Sequence, residues 1–365
     1  MSKLTSIAMI NLFPLNTGST MLTLDYYETL KDLGFEVNLY QCVSSLSDKK
    51  YPDNSKVIKG LRLPLYWLSL AIDLLVVFPF KMKDLKEDFV FLTDPLLLRL
   101  ASKRKNVIVL IHDLRELSQY SSSVYARLLF LYLLRFLTRV GKIIAVSEAT
   151  KSIINSYCSN INEIEVIPTC SRIGTDEEFI REKRINSAIN VKERRINVLY
   201  VAVDRPYKNI KWFLEIAAEI ENLGLGSFYN FVLVSKLRKK TINFMQKIGS
   251  KIELHDNVRD IEALYLKTDI LLFPSLIEGF GLPLLEGMNY GIPIIYSNIP
   301  PMSDVVGKYG ISADPTKMSD WISALDSLTD PSLYQKYSRL SSERAKFYSR
   351  TNFDKLVSES FVRLL

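Results

Sequence analysis

Short, almost continuously apolar runs recur along this chain, and they constrain its fold more than any other feature. VIVLI at 107–111, KIIAV at 142–146, NFVLV at 230–234, ILLF at 270–273 and PIIY at 293–296 are typical. A strand with one solvated face alternates apolar and polar residues. A run that is apolar throughout must be covered on both faces, as in a parallel sheet held between helical layers. The first half predicts strands at Ile7–Leu12, Val37–Tyr40, Phe89–Leu92, Val107–Ile111, Lys142–Val146 and Glu165–Ile167, with a helix from Ser19 to Leu33 stopped by Gly34. A polar, charge-dense stretch from Ser171 to Arg195 reads as a linker.

A second strand–helix series follows it. Strands are predicted at Asn197–Val203, Asn230–Val234, Lys251–Leu254, Ile270–Phe273 and Pro293–Tyr296. Helices are predicted from Lys208, over Asp260–Lys267, from Pro283, near Lys317–Leu328 and over Pro331–Phe347. A last helix from Thr351 carries Phe353, Leu356, Val357, Phe361 and Leu364 on one stripe. The fold class expected is α/β, with two doubly wound, Rossmann-like domains facing a central cleft. The expected bounds are 1–172, 173–347 and a terminal helix segment 348–365. Ligands in such sheets bind at the carboxyl ends of the strands.

With 365 residues, 48% hydrophobic and 24% charged, the composition is globular and long enough for two domains. The net charge is +7, and residues 51–142 alone carry 15 Lys/Arg against 8 Asp/Glu, which is the whole surplus. This region is also rich in Leu, Phe and Tyr, a combination that suggests an anionic membrane surface as partner. No nucleic-acid-binding signature accompanies it, so no nucleic acid is expected. Two segments carry the membrane expectation. LPLYWLSLAIDLLVVFPF (63–80) is too interrupted by Pro64, Asp73 and Pro79 to span a bilayer, and YARLLFLYLLRFLTRVGK (125–142) sets Arg127, Arg135 and Arg139 among leucines and aromatics. The alternative for the second segment is a buried domain helix whose arginines reach solvent by their stems. Three widely spaced cysteines and a start that lacks a signal-peptide layout point to a reducing, cytoplasmic setting. Two distant histidines make no zinc cluster.

The chemistry concentrates in PSLIEGFGLPLLEGMNYGIPII, residues 274–295. A buried strand turns through Gly279 and Gly281 into a helix opened by Pro283, a position where proline's missing N–H costs nothing. Free amides and the dipole at that helix start suit a phosphate. Two carboxylates, Glu278 in the loop and Glu286 in the first helical turn, would repel a phosphate unless they bind something else. Hydroxyls are the natural partner, a ribose for Glu286 and a sugar for Glu278, so a nucleotide-sugar fits. Each glutamate taken alone reads as structural; together with the glycines and the proline they read as a site. LYVAVDRPYKNI (199–210) adds Arg205 and Lys208 at the carboxyl end of a strand, where cations would neutralise a diphosphate. No Asp-x-Asp occurs to hold a metal ion, so neither metal nor other cofactor is expected.

FPSLIEGFGLPLLEGMNYGIPIIYSNIPPMSDVVG resembles the E-x7-E signature of the family 4 retaining glycosyltransferases of GT-B fold. The resemblance extends to YVAVDRPYKN, to IIAVSEAT (143–150) and to IHDL (111–114). It implies that Glu286 holds the ribose, Glu278 the transferred sugar, and Arg205 with Lys208 the diphosphate. Backbone amides around Gly279, Phe280, Gly281 and Leu282 would share the phosphate, with Ser275 counted in the same donor set. His112, followed by Asp113, would reach the sugar from the first domain, and the loop PLNTGST (14–20) would line the acceptor side, Gly18 allowing close approach. The terminal helix would pack back on the first domain, whose task would be acceptor binding. Departures from the pattern are Ala202 and Ser235 where the family often has Gly, and Thr169-Cys170 after VIP where it often has Asn-Gly.

The function so implied is transfer of a hexose, mannose or glucose, from GDP- or UDP-sugar to a hydroxyl of a glycan or lipid-linked glycan with retained configuration. The setting would be polysaccharide or glycolipid synthesis at the inner face of the cell membrane. The competing classes are an NAD(P)-dependent oxidoreductase, for which no G-x-G-x-x-G is present, and an inactive sugar-nucleotide-binding protein.

Overall fold

The computed structural model describes residues 4–12, 18–43, 54–61, 66–104, 106–114, 117, 124–158, 161, 164–171, 181–182, 184, 194–249, 251–256 and 258–363. The chain divides into two compact units. One comprises Met1–Thr169 with Thr351–Leu365, the other Cys170–Arg350, against expected divisions after 172 and 347.

The first unit is built on seven parallel strands, β1 (Ser6–Asn11), β2 (Glu36–Val43), β3 (Lys56–Lys59), β4 (Phe89–Leu92), β5 (Val107–Ile111), β6 (Lys142–Ala145) and β7 (Ile164–Val166). Their order is β3-β2-β1-β4-β5-β6-β7. Every residue of β1 and β5 is buried, as the apolar run of β5 and the apolar centre of β1 require. Strand β3 (KVIK) was not anticipated: it is a short, largely exposed edge strand with lysines at both ends, and it has no apolar run to announce it. Helix α1 (Gly18–Asp32) ends where expected, with Gly34 at φ +89° and Phe35 N donating to Leu30 O at 3.1 Å.

One face of this sheet, with Ala8, Ile10, Val90, Leu92, Val109 and Ile111, packs in a single core with a helical layer. That layer runs through α2 (Tyr66–Ile72), a π-helical stretch Asp73–Val77, α3 (Phe78–Lys81), a 3-10 helix Pro95–Lys103 and α4 (Val124–Leu134). Asp73 is buried and accepts from Leu61 N at 2.7 Å. Among the described residues no helix is long and apolar enough to cross a membrane. After β6, Ser147 caps α5 (Glu148–Tyr157) by accepting from Thr150 N.

The second unit has six parallel strands, β8 (Ile196–Val201), β9 (Tyr229–Val234), β10 (Ile252–His255), β11 (Ile270–Phe273), β12 (Ile294–Ser297) and β13 (Ile311–Ala313). They lie in the order β10-β9-β8-β11-β12-β13, so the direction in which strands are added to the sheet reverses between β8 and β11. β13, the helix Lys239–Ile248 and the short helix Met302–Val305 were not read from the sequence.

The charge-dense stretch 171–195 is not a free linker where it is described. Arg181 Nε donates to Asn289 O at 2.6 Å, Arg184 donates to the carbonyls of Tyr265, Leu266 and Thr268, and Arg194 forks onto Asp269 at 2.6 and 2.7 Å. These arginines satisfy carbonyls at helix ends and one buried carboxylate, so their charge belongs to the framework of the second unit. The remainder of that stretch lies outside the described residues.

The terminal helix Arg350–Val362 belongs to the first unit and covers the sheet face opposite the α2–α4 layer. Phe353 packs edge-on against Tyr26 at 5.0 Å, and Phe361 against Phe91 at 5.5 Å and Phe35 at 6.4 Å. Lys142 Nζ, 2.9 Å from Glu165, also donates to Ser360 O at 2.6 Å and so fixes the far end.

Candidate functional site

The chemistry-bearing residues of the second unit sit on two loops that leave neighbouring strands β8 and β11 at their carboxyl ends. Such a reversal of strand order opens a crevice in doubly wound sheets. After β8 the chain turns through a 3-10 segment, Pro206–Lys208, and Asn209 takes the left-handed conformation at φ 52° before the helix Ile210–Asn222. After β11 the loop 274–280 leads to Gly281, left-handed at φ +95°, and the helix Leu282–Asn289 begins there. Glycine is required at this cap: a Cβ on Gly281 would lie 2.9 Å from Leu284 Cδ1.

A buried tyrosine that the sequence reading did not single out joins the two loops. Tyr200, on β8 and fully buried, has its hydroxyl against Lys208 O and 3.0 Å from Ser275 Oγ. A carbonyl only accepts, so the phenol proton goes to Lys208 O and Ser275 donates to the phenol oxygen. Burial pushes the Tyr200 pKa well up, which keeps that proton in place. Leu276 N adds a backbone bond to Tyr207 O at 2.7 Å. Ser275 is therefore inside the frame, bonded to Tyr200.

That clamp brings Lys208 and Glu278 together: Nζ lies 2.5 Å from Oε1, with the side chains only 14% and 9% exposed. Glu278 is thus neither a surface charge nor an isolated acceptor, and Lys208 is already compensated. Arg205 is exposed and donates its N–H to Val203 O at 2.8 Å. A further arginine comes to this loop from the next strand: Arg238, following β9, binds Asp204 through its backbone N–H at 2.7 Å and Nη2 at 3.0 Å. Burial pushes the Asp204 carboxyl up, but these bonds from Arg238 outweigh it and hold the pKa below the ordinary value.

Glu286 is the fifth residue of its helix, so it stands in the second turn and not the first; the helix starts at Leu282, cap included one residue earlier than Pro283 suggests. It belongs to a separate pair. Tyr265, on the helix Ile261–Lys267, donates its hydroxyl to Glu286 Oε2 at 2.5 Å and stacks on Tyr290 with ring centroids 5.6 Å apart. Burial raises the Glu286 pKa, and the Tyr265 bond only partly opposes it. Phe280 is buried edge-on against Tyr348 at 5.2 Å, and with the partly buried Gly279 and Leu282 it forms the wall of the turn. Nothing in the sequence pattern of EALYLK separates Tyr265 from an ordinary core tyrosine; its hydroxyl acquires meaning only from the helix that packs beside it.

A pocket of about 360 Å³ lies elsewhere in this unit, between the end of β10 and the helix Ile261–Lys267, lined among others by His255, Arg259, Asp260 and Lys267. None of the residues named above as site candidates lines it. Among the described residues no group of three or more His, Cys, Asp or Glu is placed to hold a metal ion.

In the first unit, His112 follows β5 with Nε2 2.8 Å from Thr93 O; the carbonyl accepts, so Nε2 carries the hydrogen. Thr93 is tied to Ile10 O and Asn11 Oδ1, and Asn11 in turn donates to Gln41 at 2.9 Å. This buried polar net underlies the carboxyl ends of β1, β2 and β4. Gly18, exposed, opens α1, and Asp113 is partly buried; residues 13–17 of the preceding loop lie outside the described residues.

With this geometry in hand, comparison with known proteins gives consistent matches. Residues 17–170 match the family described as Glycosyltransferase Family 4, and residues 181–346 the one described as Glycosyl transferases group 1. The chain is 27% identical over 235 residues to the O-antigen chain mannosyltransferase RfbU of Salmonella typhimurium, covering 61% of each chain; the match thus spans about three fifths of that relative's length. Among solved structures it is similar to sucrose-phosphate synthase of Thermosynechococcus elongatus, with a TM-score of 0.79, 14% identity and 99% of both chains covered. It is also similar to Anabaena HepE in complex with UDP-glucose, with a TM-score of 0.73, 14% identity and coverage of 98% of this chain and 99% of that one. The two parallel sheets, of seven and six strands, are those of the GT-B fold.

Proposed function

The chain belongs to glycosyltransferase family 4, and from that premise we propose that it moves a hexose from a nucleoside diphosphate sugar to a hydroxyl of a glycan or lipid-linked glycan, keeping the anomeric configuration. Mannose is the sugar favoured, because the relative in Salmonella is an O-antigen chain mannosyltransferase; glucose on UDP is the second choice, because a fold neighbour, Anabaena HepE, is in complex with UDP-glucose. The acceptor is assigned to surface-polysaccharide or glycolipid synthesis.

The observation that carries the reading is the Lys208–Glu278 pair on two loops clamped by Tyr200. An entering diphosphate offers Lys208 a stronger anionic partner, and Glu278 is then freed to accept from sugar hydroxyls. Arg205, three residues before Lys208, supplies a second cation, and the amides around Gly279–Leu282 at the helix start supply dipoles. Glu286, held by Tyr265, takes the ribose hydroxyls.

In the reaction the bond from the anomeric carbon to the diphosphate oxygen breaks, and its electron pair stays on the nucleoside diphosphate. The acceptor oxygen bonds to that carbon on the same face, and its proton passes to the departing phosphate. Most of the barrier is lowered by stabilising the leaving charge and orienting the acceptor. Fixed cations are sufficient for this in principle, so no metal is invoked. Glu278, engaged with Lys208, is assigned to hydroxyl binding and not to nucleophilic attack. Acceptor recognition is assigned to the first unit, with His112, Asp113 and the Gly18 loop as its candidates.

The test is thermal stabilisation of the purified chain by GDP, UDP, ADP and NAD, with EDTA present throughout. A selective shift with GDP or UDP that disappears in Glu286→Ala supports the reading and identifies the donor. A shift with NAD alone would overturn the nucleotide-sugar reading of the site.

A further inference from the structure

The helical layer on one face of the first unit is apolar on its outside as well as its inside. Ala126, Phe130, Leu133 and Leu134 of α4 pack inward. The opposite arc carries Val124, Tyr125, Leu128 and Tyr132, with Tyr125 81% and Val124 73% exposed. Their spacing of one, four and eight residues puts them on one stripe. A helix that is apolar all round is ordinarily buried; this one is not. Arg127 is its one charged residue, and Arg127 and Arg135 are exposed at the sides of the stripe. From Val124 to Lys142 the sequence contains no acid.

A second exposed apolar group lies in the same layer. Leu68, Val76 and Phe80 of the segment running from α2 to α3 stand out of it, Phe80 at 68% exposure, with Lys83 5.0 Å from the Phe80 ring and Lys81 exposed beside it. The acid in this segment, Asp73, is buried. Both groups are held by one element: α4 and the α2–α3 segment each pack on the 3-10 helix Pro95–Lys103. Where that helix meets the turn after α4, Arg99 and Arg139 lie over the Phe136 ring at 5.1 and 5.5 Å, so cations gather at this end too.

We infer that the outer side of this layer is a docking surface for the headgroup region of an anionic bilayer. Val124, Tyr125, Leu128, Tyr132, Val76 and Phe80 insert, and the arginines and lysines beside them meet lipid phosphates. Aromatic and aliphatic groups flanked by cations that outnumber the one exposed acid beside them, Asp84 at 4.0 Å from Lys83, complement an anionic interface in both hydrophobicity and charge. A second copy of this chain would place two faces with an excess of cations against each other, which charge disfavours. The inference deepens the lipid-linked acceptor of the reading above, since such an acceptor is presented at a bilayer surface. The docking test itself uses no donor, so the two can fail separately.

The test is flotation of the full chain with vesicles of phosphatidylcholine alone and with about 30% phosphatidylglycerol. The wild type is expected to float with the anionic vesicles and weakly with the neutral ones. Tyr125→Ser with Leu128→Ser, and separately Arg127→Glu with Arg135→Glu, are expected to reduce binding at least about tenfold. Leu223→Ser, an exposed leucine of the other unit, should leave it unchanged. Unfolding profiles check that the variants fold; the single change Tyr125→Ser stands in where a pair does not. The inference is overturned by wild type that stays with the soluble fraction, or by binding that survives both pairs. It is overturned equally by a dimer in sedimentation velocity that the same pairs dissolve, with no vesicle binding. Donor hydrolysis, measured on the same samples without vesicles, reports the transferase reading independently.

Discussion

Lys208 Nζ and Glu278 Oε1 are 2.5 Å apart, although their residues are 70 apart in sequence; they meet because neighbouring strands carry their loops and Tyr200 and the Leu276–Tyr207 backbone bond tie those loops together. The pair is nearly buried, so each charge depends on the other for compensation. Lys208→Met or Glu278→Leu alone should cost the second unit about 3 kcal/mol, the lower end for a broken buried pair because both groups keep some solvent contact. The double variant should be less damaged than the sum of the two by roughly 1–3 kcal/mol. Chemical denaturation of the three variants measures this; additivity would mean that the pair carries no coupling. All three should lose transfer, which separates stability from function.

Glu286 gives a pH-dependent prediction. Its folded pKa is raised above the ordinary value of 4.5 by burial. A raised folded value means that the folded state holds the proton more tightly, so the stabilising contribution is full at low pH and is lost as pH rises through the folded value. Glu286→Gln, which keeps an acceptor for the Tyr265 hydroxyl, removes that loss. The melting temperature of the variant relative to wild type should therefore climb as pH rises above the ordinary carboxylate value of 4.5. A difference that stays flat or falls would show that the carboxylate is better solvated than its surroundings indicate.

Tyr265 acts on the site through Glu286. Tyr265→Phe should raise the KM for donor several-fold with a smaller change in kcat, since ribose binding is lost while the sugar end is intact. Steady-state kinetics over donor concentration decides it: a loss confined to kcat would place Tyr265 in a different role.

Gly281→Ala should destabilise the second unit by about 1–2 kcal/mol from the left-handed backbone alone. The added Cβ, 2.9 Å from Leu284 Cδ1, adds crowding at the start of the helix that carries Glu286. Melting temperature and nucleotide-induced stabilisation should both fall; a variant that melts like wild type would show that the turn relaxes into another conformation.

Strands whose side chains are buried on both faces were legible from the sequence, because unbroken apolar runs have few other uses: the bounds of β4, β5 and β11 are those expected. Of the short edge strands, β7 and β10 were foreseen within a residue, while β3 and β13, with three or four residues and little apolar pattern, were not. The loop and helix bearing Glu278 and Glu286 were also foreseeable, from glycines and a proline whose backbone demands are specific. What could not be foreseen were the partners. Tyr200, Tyr265 and Arg238 acquire their roles from elements distant in sequence, and a phenol or guanidinium in a strand or helix pattern looks the same whether it fills space or holds a carboxylate. The arginines of 181–195 misled for the same reason: their carbonyl and carboxylate partners lie 75 to 108 residues further on.

The aromatic seat formed by Tyr26, Phe35 and Phe91 has a temporal consequence. Its cover, Phe353 and Phe361, is made only after the whole second unit, which lies between the seat and its cover in the chain. At roughly 5–20 residues per second, the nascent protein carries an open aromatic surface for on the order of 10 to 50 s while the whole second unit is made. The second unit can complete its sheet and fold first, so the half of the chain made earliest is the half finished last.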